Sequence, residues 1–354
     1  MPTVRLSGTV TGSDDLNRSL RAKLLYHLFD GGWDINNSNG KEQITLGNIE
    51  QKIINADAFV FTPGASLEDF FKAISIFVGY QTLDKHLAAK PTVILNDDHS
   101  WDIIFDLLTH LNKLGTVSQD YRDYLLTAEG PEQVDDILNA FLENDKSLPP
   151  IDREPLEEAP AVSTDANTPA PDDLLGNVCV FCSATIKKED YIADGETLGR
   201  QLAENKLGCV SGAGKTGIMG AVVRGSVAAK GWTAGSNVPH IIELEGLPEG
   251  LSCFWLRDDI YTRMEVMIEN SDAFVIFPGG AGTVQELLAL MIFHQQDHPL
   301  MKGKPVVIFN RLDSGGDRFW APLVELLAKF CKPETYVIVD ELDDIIPAIK
   351  ERLK

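Results

Sequence analysis

A glycine-rich segment in the second half of the chain combines a phosphate-binding turn with an acid. The segment Pro278–Glu286 (PGGAGTVQE) follows the apolar run 272–277 and precedes a second apolar run, 287–293. This order predicts a strand, a turn and a helix. Glycines let the backbone approach a ligand closely, and the N–H groups and positive dipole end of a new helix favour a phosphate. The residues expected to hold that phosphate are Gly279, Gly280, Gly282 and Thr283.

Two charged side chains are candidates for chemistry at this turn. Glu286 comes about one helical turn after the glycines, although a carboxylate there also stabilises the helix dipole, which is a purely structural alternative. Arg263 lies on a predicted helix before the strand, and alone it would be an ordinary surface arginine. Its permanent charge and forked donors suit a phosphate or a leaving base. Together, the two residues indicate catalysis rather than binding alone.

A second glycine cluster, Ser211–Gly220 (SGAGKTGIMG), also stands between a predicted strand and a predicted helix. It is not the phosphate loop of ATPases, because the leading glycine of that motif would fall at Cys209. We expect Gly212 and Gly214 to line one wall of a nucleotide pocket. A plain structural turn remains the alternative.

Composition limits the class of partner. The chain has 354 residues, enough for two domains, and a formal net charge of −22, which argues against nucleic acid or an anionic membrane as a partner. No secretory signal opens it and no apolar stretch approaches the length of a membrane span. Five cysteines without a disulfide framework predict reduced thiols and a cytoplasmic protein. Cys179 and Cys182 have redox or zinc spacing but lie in an apolar run, which favours buried strand residues. No metal or redox cofactor is indicated.

The two halves of the chain resemble each other. Residues 55–64 parallel 270–279, and residues 90–96 parallel 304–310, in the same order. Such ordered matches predict an internal duplication. Between the halves, a stretch rich in Pro, Ala and acidic residues predicts an extended, mobile linker. The predicted organisation is a first domain over residues 1–146, the linker over 147–175 and a second domain over 176–354.

Each half alternates short apolar runs with helical patterns, which predicts an α/β fold: two Rossmann-like, doubly wound parallel-sheet domains. The predicted strands of the second half are Val178–Cys182, Gly208–Ser211, His240–Leu244, Ala273–Phe277, Val306–Asn310 and Tyr336–Val339. The predicted helices are Tyr191–Asn205, Gly220–Lys230, Thr262–Asn270, Val284–Phe293 and Trp320–Phe330. Ligands of such folds bind beyond the carboxyl ends of the strands, where both glycine turns fall.

These motifs together resemble those of the LOG ("lonely guy") family of phosphoribohydrolases. Residues 272–286 are similar to its PGGxGTxxE signature, Val178–Ala184 to its first strand and loop, and Gly212–Gly220 to its second glycine segment. Arg263 and Met267 match its arginine motif. Some members carry the older label lysine decarboxylase, but no lysine here is marked as a pyridoxal phosphate site.

The resemblance implies hydrolysis of the N-glycosidic bond of nucleoside 5'-monophosphates to free base and ribose 5-phosphate. It implies Arg263 and Glu286 as catalytic residues, with Ser183 and Met267 joining the nucleotide contacts. Met264 stands where plant-type members have a lysine, and Gln285 stands where many members have a second glutamate, which weakens the case for cytokinin substrates specifically. The alternatives are a non-catalytic nucleotide or molybdenum-cofactor carrier or sensor, and a scaffold whose first half binds a protein.

The first half departs from the family pattern. Its loop, residues 63–67, lacks two of the three glycines. The place of Glu286 is predicted at Phe70 or Phe71, and that of Arg263 near Asn48. The first half is therefore interpreted as a copy that kept the fold and lost the site. Because LOG proteins are dimers, the chain is expected to form either an internal pseudo-dimer or a homodimer.

Overall fold

Each half of the chain builds its own parallel β-sheet. The structure, a computed structural model, describes residues 1–7, 15–37, 46, 55–87, 90–143, 146–154, 156, 166–313 and 315–353, without the side chains of 15–19, 36 and 37. Asn48 lies outside the described residues. The chain divides into two units, Met1–Asp152 and Arg153–Lys354. The limits 146 and 176 of the expected domains stay predictions.

Within its described residues, the first unit has five strands and four helices. Its strands are β1 (Thr3–Ser7), β2 (Asp34–Asn37), β3 (Ala58–Phe61), β4 (Thr92–Leu95) and β5 (Leu125–Ala128). Its helices are α1 (Asp15–Asp30), α2 (Leu67–Gln81), α3 (Asp102–Lys113) and α4 (Pro131–Leu142), with a 3-10 turn at Tyr121–Asp123. The sheet order is β2-β1-β3-β4-β5, and every pair is parallel.

The second unit has a sheet of seven strands. These are β6 (Gly176–Phe181), β7 (Leu207–Ser211), β8 (Thr233–Asn237), β9 (Cys253–Leu256), β10 (Ala273–Ile276), β11 (Val306–Phe309) and β12 (Val337–Val339). Its helices are α5 (Glu189–Glu204), α6 (Gly217–Ala228), α7 (Pro239–Glu245), α8 (Ile260–Glu269), α9 (Ala281–Gln295), α10 (Ala321–Phe330) and α11 (Ile345–Arg352). Three 3-10 turns complete it: Pro299–Met301, Pro333–Thr335 and Leu342–Asp344. The sheet order is β12-β11-β10-β6-β7-β8-β9.

The two sheets share one strand order. Five strands of the second sheet, β7-β6-β10-β11-β12, follow the order of β2-β1-β3-β4-β5, and β8 and β9 extend the sheet beyond β7. The central strands β3 and β10 read AFVF and AFVI and are buried at every position. Helices covering both faces of a parallel sheet produce this uniform burial. The predicted fold class, two Rossmann-like parallel-sheet domains, is confirmed, and the common order is what a duplication predicts.

One predicted strand is wrong. Residues 240–244 belong to helix α7, which begins with Pro239 in its first turn, where a missing N–H has no cost. The strand of this region is β8 instead (TAGSN), which is buried at all five positions. Strand β9 was also not predicted. The five predicted helices of the second half are confirmed within a few residues at each end.

Part of the segment between the repeats pairs with the second sheet. Asn167 forms an antiparallel bridge with Cys253 of β9, and Trp232 donates its indole N–H to the carbonyl oxygen of Thr168. The backbone N–H of Thr168 donates to Ser252, and that of Phe254 donates to Ala166. These bonds attach residues 166–168 to the edge strand of the second unit.

All five cysteines are free thiols. Cys179 and Cys182 are 0% and 3% exposed, as predicted for residues of a buried strand and its end. Burial raises the pKa of both thiols well above the ordinary value. Within the described residues, no helix combines the length and the apolar character needed to cross a membrane.

Candidate functional site

The topology of the second sheet brings the glycine turns to one crevice. From β6 the chain runs outward through β7, β8 and β9, and then returns to the other side of β6 as β10. The order of strands therefore reverses between β6 and β10. At such a switch point the loops after the two strands separate and leave a crevice for a ligand. Ser183 follows β6, the segment Pro278–Glu286 follows β10, and the backbone N–H of Ser183 donates to the carbonyl of Pro278 at 3.1 Å.

The turn after β10 presents an open helix N-terminus. Gly280 is the N-cap of α9 in an extended conformation, and no described side chain caps this helix. A Cβ at Gly279 would lie 2.0 Å from Thr283 Oγ1, so only glycine fits there, whereas a Cβ at Gly282 would meet nothing within 4 Å. The N–H groups of the first turn of α9 therefore have no capping side chain among the described residues. They lie at the positive end of the helix dipole, and the space beside Gly282 is open. That combination suits a phosphate.

Arg263 is fixed by the backbone of strand β8 and of the turn after β7. It lies on α8, whose N-terminus is capped by Asp259. Its Nε donates to the carbonyl of Ser236 at 2.9 Å, and its Nη2 donates to the carbonyl of Gly212 at 3.1 Å. A Cβ at Gly212 would lie 2.0 Å from that Nη2, so the glycine is required for the guanidinium to sit against the turn. The remaining Nη1 faces α9.

Glu286 lies opposite that nitrogen. The distance between Arg263 Nη1 and Glu286 Oε1 is 4.0 Å, and the two side chains are 12% and 7% exposed. Burial raises the pKa of Glu286 from 4.5 to about 8; Arg263 opposes the rise, and the nearby Glu245 carboxylate adds to it. A buried carboxyl that changes charge near neutral pH is common at catalytic sites. With 7% of its side chain exposed, Glu286 is not a solvated surface residue of the helix.

The second glycine turn packs beside the same region. A Cβ at Gly214 would lie 2.9 Å from Glu245 Oε2 and 3.1 Å from the sulfur of Met219. Gly217 has a φ of +61° and stands so close to Ala184 that a Cβ would be 2.5 Å from its carbonyl. The turn thus packs tightly between the loop after β6 and the end of α7, and it brings the Glu245 carboxylate into the region of Glu286.

Two other predicted nucleotide contacts have structural partners. Ser183 is 5% exposed, and its Oγ accepts the backbone N–H groups of Thr185 and Ile186, which shapes the loop after β6. Met267 is 0% exposed in the core, one turn along α8 from Arg263. Its burial gives Met267 a packing role that supports α8, and its contact with the nucleotide stays a prediction.

The structure adds two residues that the sequence analysis did not single out. Glu245 ends α7, and its Oε1 accepts a hydrogen bond from Arg153 Nη2 at 2.9 Å. These side chains are 12% and 24% exposed. Because 92 positions separate the two residues, no local sequence motif predicts the pair. The single signal in the sequence was one arginine in an otherwise acidic, proline-rich stretch.

The corresponding turn of the first unit is closed by its own side chains. Ser66 caps α2 and forms a capping box with Asp69, which is 2% exposed. The N–H of Gly64 donates to Asp98 Oδ2 at 2.7 Å, and Ser100 Oγ accepts from Gly64 and Ala65. Carboxylates and a hydroxyl of the chain therefore take the donors that a phosphate would need.

The position of Glu286 in this first copy differs from the prediction. Ser66 and Gly280 are N-caps with similar extended backbones, and the sixth helical residue after each is Lys72 and Glu286 respectively. Phe70 and Phe71 are 0% exposed and belong to the core. The predicted equivalence with Phe70 or Phe71 is wrong because the first loop has one residue more between strand and helix. A lysine, whose Nζ donates to Ser7 Oγ at 3.3 Å, replaces the acid.

This contrast predicts one binding site for a phosphate-bearing ligand per chain. The turn of the second unit is suited to a phosphate, whereas in the first unit Asp98 and Asp69 already accept the backbone N–H groups of Gly64 and Ser66. Calorimetric titration with a purine nucleoside 5'-monophosphate is expected to give a stoichiometry of one. Two equivalent sites per chain would contradict the self-closure of the first turn.

The similarity to a known family model lies in the second unit. The family model described as "Possible lysine decarboxylase" matches residues 219–350, within the second unit. The chain is 34% identical over 134 residues to the probable cytokinin riboside 5'-monophosphate phosphoribohydrolase LOGL5 of Oryza sativa subsp. japonica, covering 38% of this chain and 53% of that protein. It is 30% identical over 156 residues to LOGL9 of the same organism, covering 44% of this chain and 67% of that protein. The chain belongs to the LOG family.

The LOG-family chain matches only part of its relatives. It spans 53% and 57% of the length of two curated rice relatives, LOGL5 and LOG4. Among solved structures, it is similar to the molybdenum cofactor carrier protein of Chlamydomonas reinhardtii, with 18% identity, a TM-score of 0.38 and coverage of 50% of this chain and 97% of that chain. The geometry of Arg263 and Glu286 lies within the stretch matched by the family model.

Proposed function

We propose that the second unit hydrolyses the N-glycosidic bond of nucleoside 5'-monophosphates to a free base and ribose 5-phosphate. The observation that carries the proposal is the buried Arg263–Glu286 pair beside an uncapped helix N-terminus at the switch point of a parallel sheet. A phosphate-binding turn alone supports only binding. A buried acid with a raised pKa, held opposite a fixed guanidinium, supports chemistry on the sugar attached to that phosphate.

Different residues are proposed to contact different parts of the substrate. The phosphate is proposed to bind at Gly279, Gly280, Gly282 and Thr283, at the positive end of α9. Gly212 and Gly214 form the opposite wall. Ser183 holds the loop after β6 against Pro278 through its backbone. This arrangement leaves the ribose between the phosphate site and Glu286, which is the sixth residue of the same helix.

The proposed reaction replaces the bond between ribose and base with a bond to water. The C1'–N bond breaks, its electron pair leaves with the base nitrogen, and positive charge develops on the ribose ring. The ionised Glu286 carboxylate stabilises that oxocarbenium-like state or orients the attacking water, by analogy with glycoside hydrolysis. Water supplies its oxygen to C1', and the proton it loses is the one the base gains. Arg263 stabilises negative charge on the phosphate or the departing base.

The proposed role of the ionised acid predicts a rising pH profile. Because the pKa of Glu286 is raised to about 8, kcat/KM is expected to increase from pH 6.5 to about 8 and to level off above it. The measurement is initial base release across pH 6.5–9.5 at constant ionic strength. Residual turnover of Glu286→Gln should lack this limb. A profile that falls through pH 8 in the wild type would contradict the role, because it would mean that the neutral carboxyl acts.

The test of the activity uses a panel of substrates. The full chain is incubated with AMP, GMP, IMP, CMP and UMP, and free base and ribose 5-phosphate are quantified. Equimolar release from at least one nucleotide supports the proposal. Tight binding of nucleotides without release from any of them would favour the non-catalytic carrier instead.

The remaining expectations concern partners. We propose a small nucleotide, rather than nucleic acid, as the ligand, because the net charge is −22. An internal pseudo-dimer or a homodimer and a cytoplasmic location stay predictions. Light scattering of the active protein distinguishes the first two, since a pseudo-dimer remains active as a monomer.

A further inference from the structure

The chain just before the second repeat reaches the edge of the proposed site. The backbone N–H of Leu156 donates to the carbonyl of Glu243 at 2.7 Å, which fixes the chain beside the last turn of α7. Arg153 Nη2 lies 2.9 Å from Glu245 Oε1. A Cβ at Gly246 would lie 3.5 Å from both Leu156 Cδ1 and the side chain of Lys215. Residues 153 and 156 are therefore packed against the elements that carry the second glycine turn.

The ion pair fixes the orientation of a carboxylate. Glu245 divides its oxygens: Oε1 accepts from Arg153, and Oε2 faces the turn at Gly214. The Glu245 side chain is 12% exposed, and the Arg153 side chain is 24% exposed. A partly buried pair of this kind is weakly screened by water, and loss of one partner leaves the other charge uncompensated. Arg153 thus compensates the charge of the partly buried Glu245 carboxylate beside the second glycine turn.

The region contains two pairs of opposite charge. Arg153 pairs with Glu245, and Arg263 faces Glu286 at 4.0 Å. Other titratable groups of this region are the thiols Cys179, Cys182 and Cys209, whose pKa values are raised by burial so that they stay neutral, and Lys215, whose side chain lies beside Gly246. Of the charged neighbours of Glu286, Arg263 favours its ionised form and Glu245 opposes it.

We propose that Arg153 is a positioning residue for the proposed reaction: it holds the Glu245 carboxylate against the glycine turn and balances its charge beside Arg263 and Glu286. The inference rests on the proposed function. It assigns a role in the second unit's site to a residue upstream of the repeat, in a stretch that the sequence describes as a linker. Arg153 acts through Glu245 and not on the substrate.

The test compares Arg153→Ala and Arg153→Lys in the full chain, with Arg200→Ala as a matched control. Arg200 pairs with Glu204 at 3.5 Å on an exposed face of α5. For Arg153→Ala, the rising limb of kcat/KM is expected to move upward by about half to one pH unit, with a loss of roughly three- to tenfold at pH 7. Arg153→Lys should restore most of the profile, and Arg200→Ala should match the wild type. A lower melting temperature with an unmoved limb would overturn the proposal, because it would show a structural role only.

A second readout separates this inference from the proposed activity. Since the pKa of Glu286 is raised from 4.5 to about 8, the stability that its neutral form contributes is complete below pH 4.5 and is lost as the pH rises through about 8. The melting temperature of Glu286→Gln relative to the parent therefore rises over that window and levels off above it. With Arg153→Ala in both proteins, the levelling point should shift to higher pH. An unchanged levelling point would overturn the role of Arg153, whereas absent base release in the wild type would overturn the activity alone.

Discussion

Glu286→Gln is expected to lower turnover of the preferred nucleotide by about a hundredfold or more. Glutamine keeps the shape of the side chain and removes the charge that the proposed transition state needs. The residue is 5% exposed and lies on α9 beyond the phosphate turn, so nucleotide binding should persist. The measurement is single-turnover base release together with calorimetric binding of the same nucleotide.

Folding of this variant is the required control. Ionisation of a buried carboxyl is unfavourable, so Glu286→Gln should melt at a temperature no lower than the wild type above pH 8. A fully active Glu286→Gln protein would show that the Glu286 carboxylate has no role in turnover. Loss of activity together with loss of binding would place Glu286 in substrate binding instead.

Arg263→Lys is expected to lower kcat/KM by roughly ten- to a hundredfold, and Arg263→Ala by more. The guanidinium contacts two carbonyls, those of Ser236 and Gly212, while its third nitrogen faces Glu286. A single ammonium cannot reproduce this forked geometry. Both substitutions also remove or displace the charge that favours ionised Glu286, so the rising limb of the pH profile should move to higher pH.

The control for Arg263 is Arg224→Ala. Arg224 forms an exposed ion pair with Glu196 at 3.0 Å, and such pairs contribute little. It should leave kcat/KM unchanged within about twofold. Wild-type activity in Arg263→Lys would show that a point charge suffices and that the bonds to the carbonyls of Ser236 and Gly212 are irrelevant to turnover.

The sequence predicted those parts of the fold in which each element has its own pattern. Strands such as β10 (AFVI) and β11 (VVIF) are short β-branched or aromatic runs, which a parallel sheet requires. Strand β8 (TAGSN) lacks that pattern because its place demands small side chains: a Cβ at Gly235 would lie 2.7 Å from Ala213 Cβ. Tertiary packing, rather than β-propensity, therefore determined the residue types of β8. The pair Ile241-Ile242 resembled a strand, but Pro239 begins a helix there.

The candidate site divides in the same way. The glycine turn and Glu286 form one contiguous motif, so the sequence predicted them together. Arg263 was predicted from a family motif, and the structure places its Nη1 4.0 Å from Glu286. Glu245 and Arg153 were missed because their relation to the site exists only after β6, β7 and α7 are assembled. Charge in a proline-rich stretch gives no local indication of such a contact.

The first unit shows what the fold alone requires. It retains the strand order and the helix after β3, yet it fills the helix N-terminus with Ser66 and Asp69 and carries Lys72 at the position of the acid. Strand, turn and helix are thus compatible with a closed turn. The fold therefore does not require the open glycine turn or the buried acid of the second unit.

The central claim is tested most directly by following one purine nucleoside 5'-monophosphate with the wild type and with Glu286→Gln, quantifying base and ribose 5-phosphate in the same samples. We expect equimolar accumulation of both products with the wild type and a rate about a hundredfold or more lower with the variant. Recovery of intact nucleotide from a wild-type protein that binds it, at every pH from 6.5 to 9.5 and for every base, would contradict it.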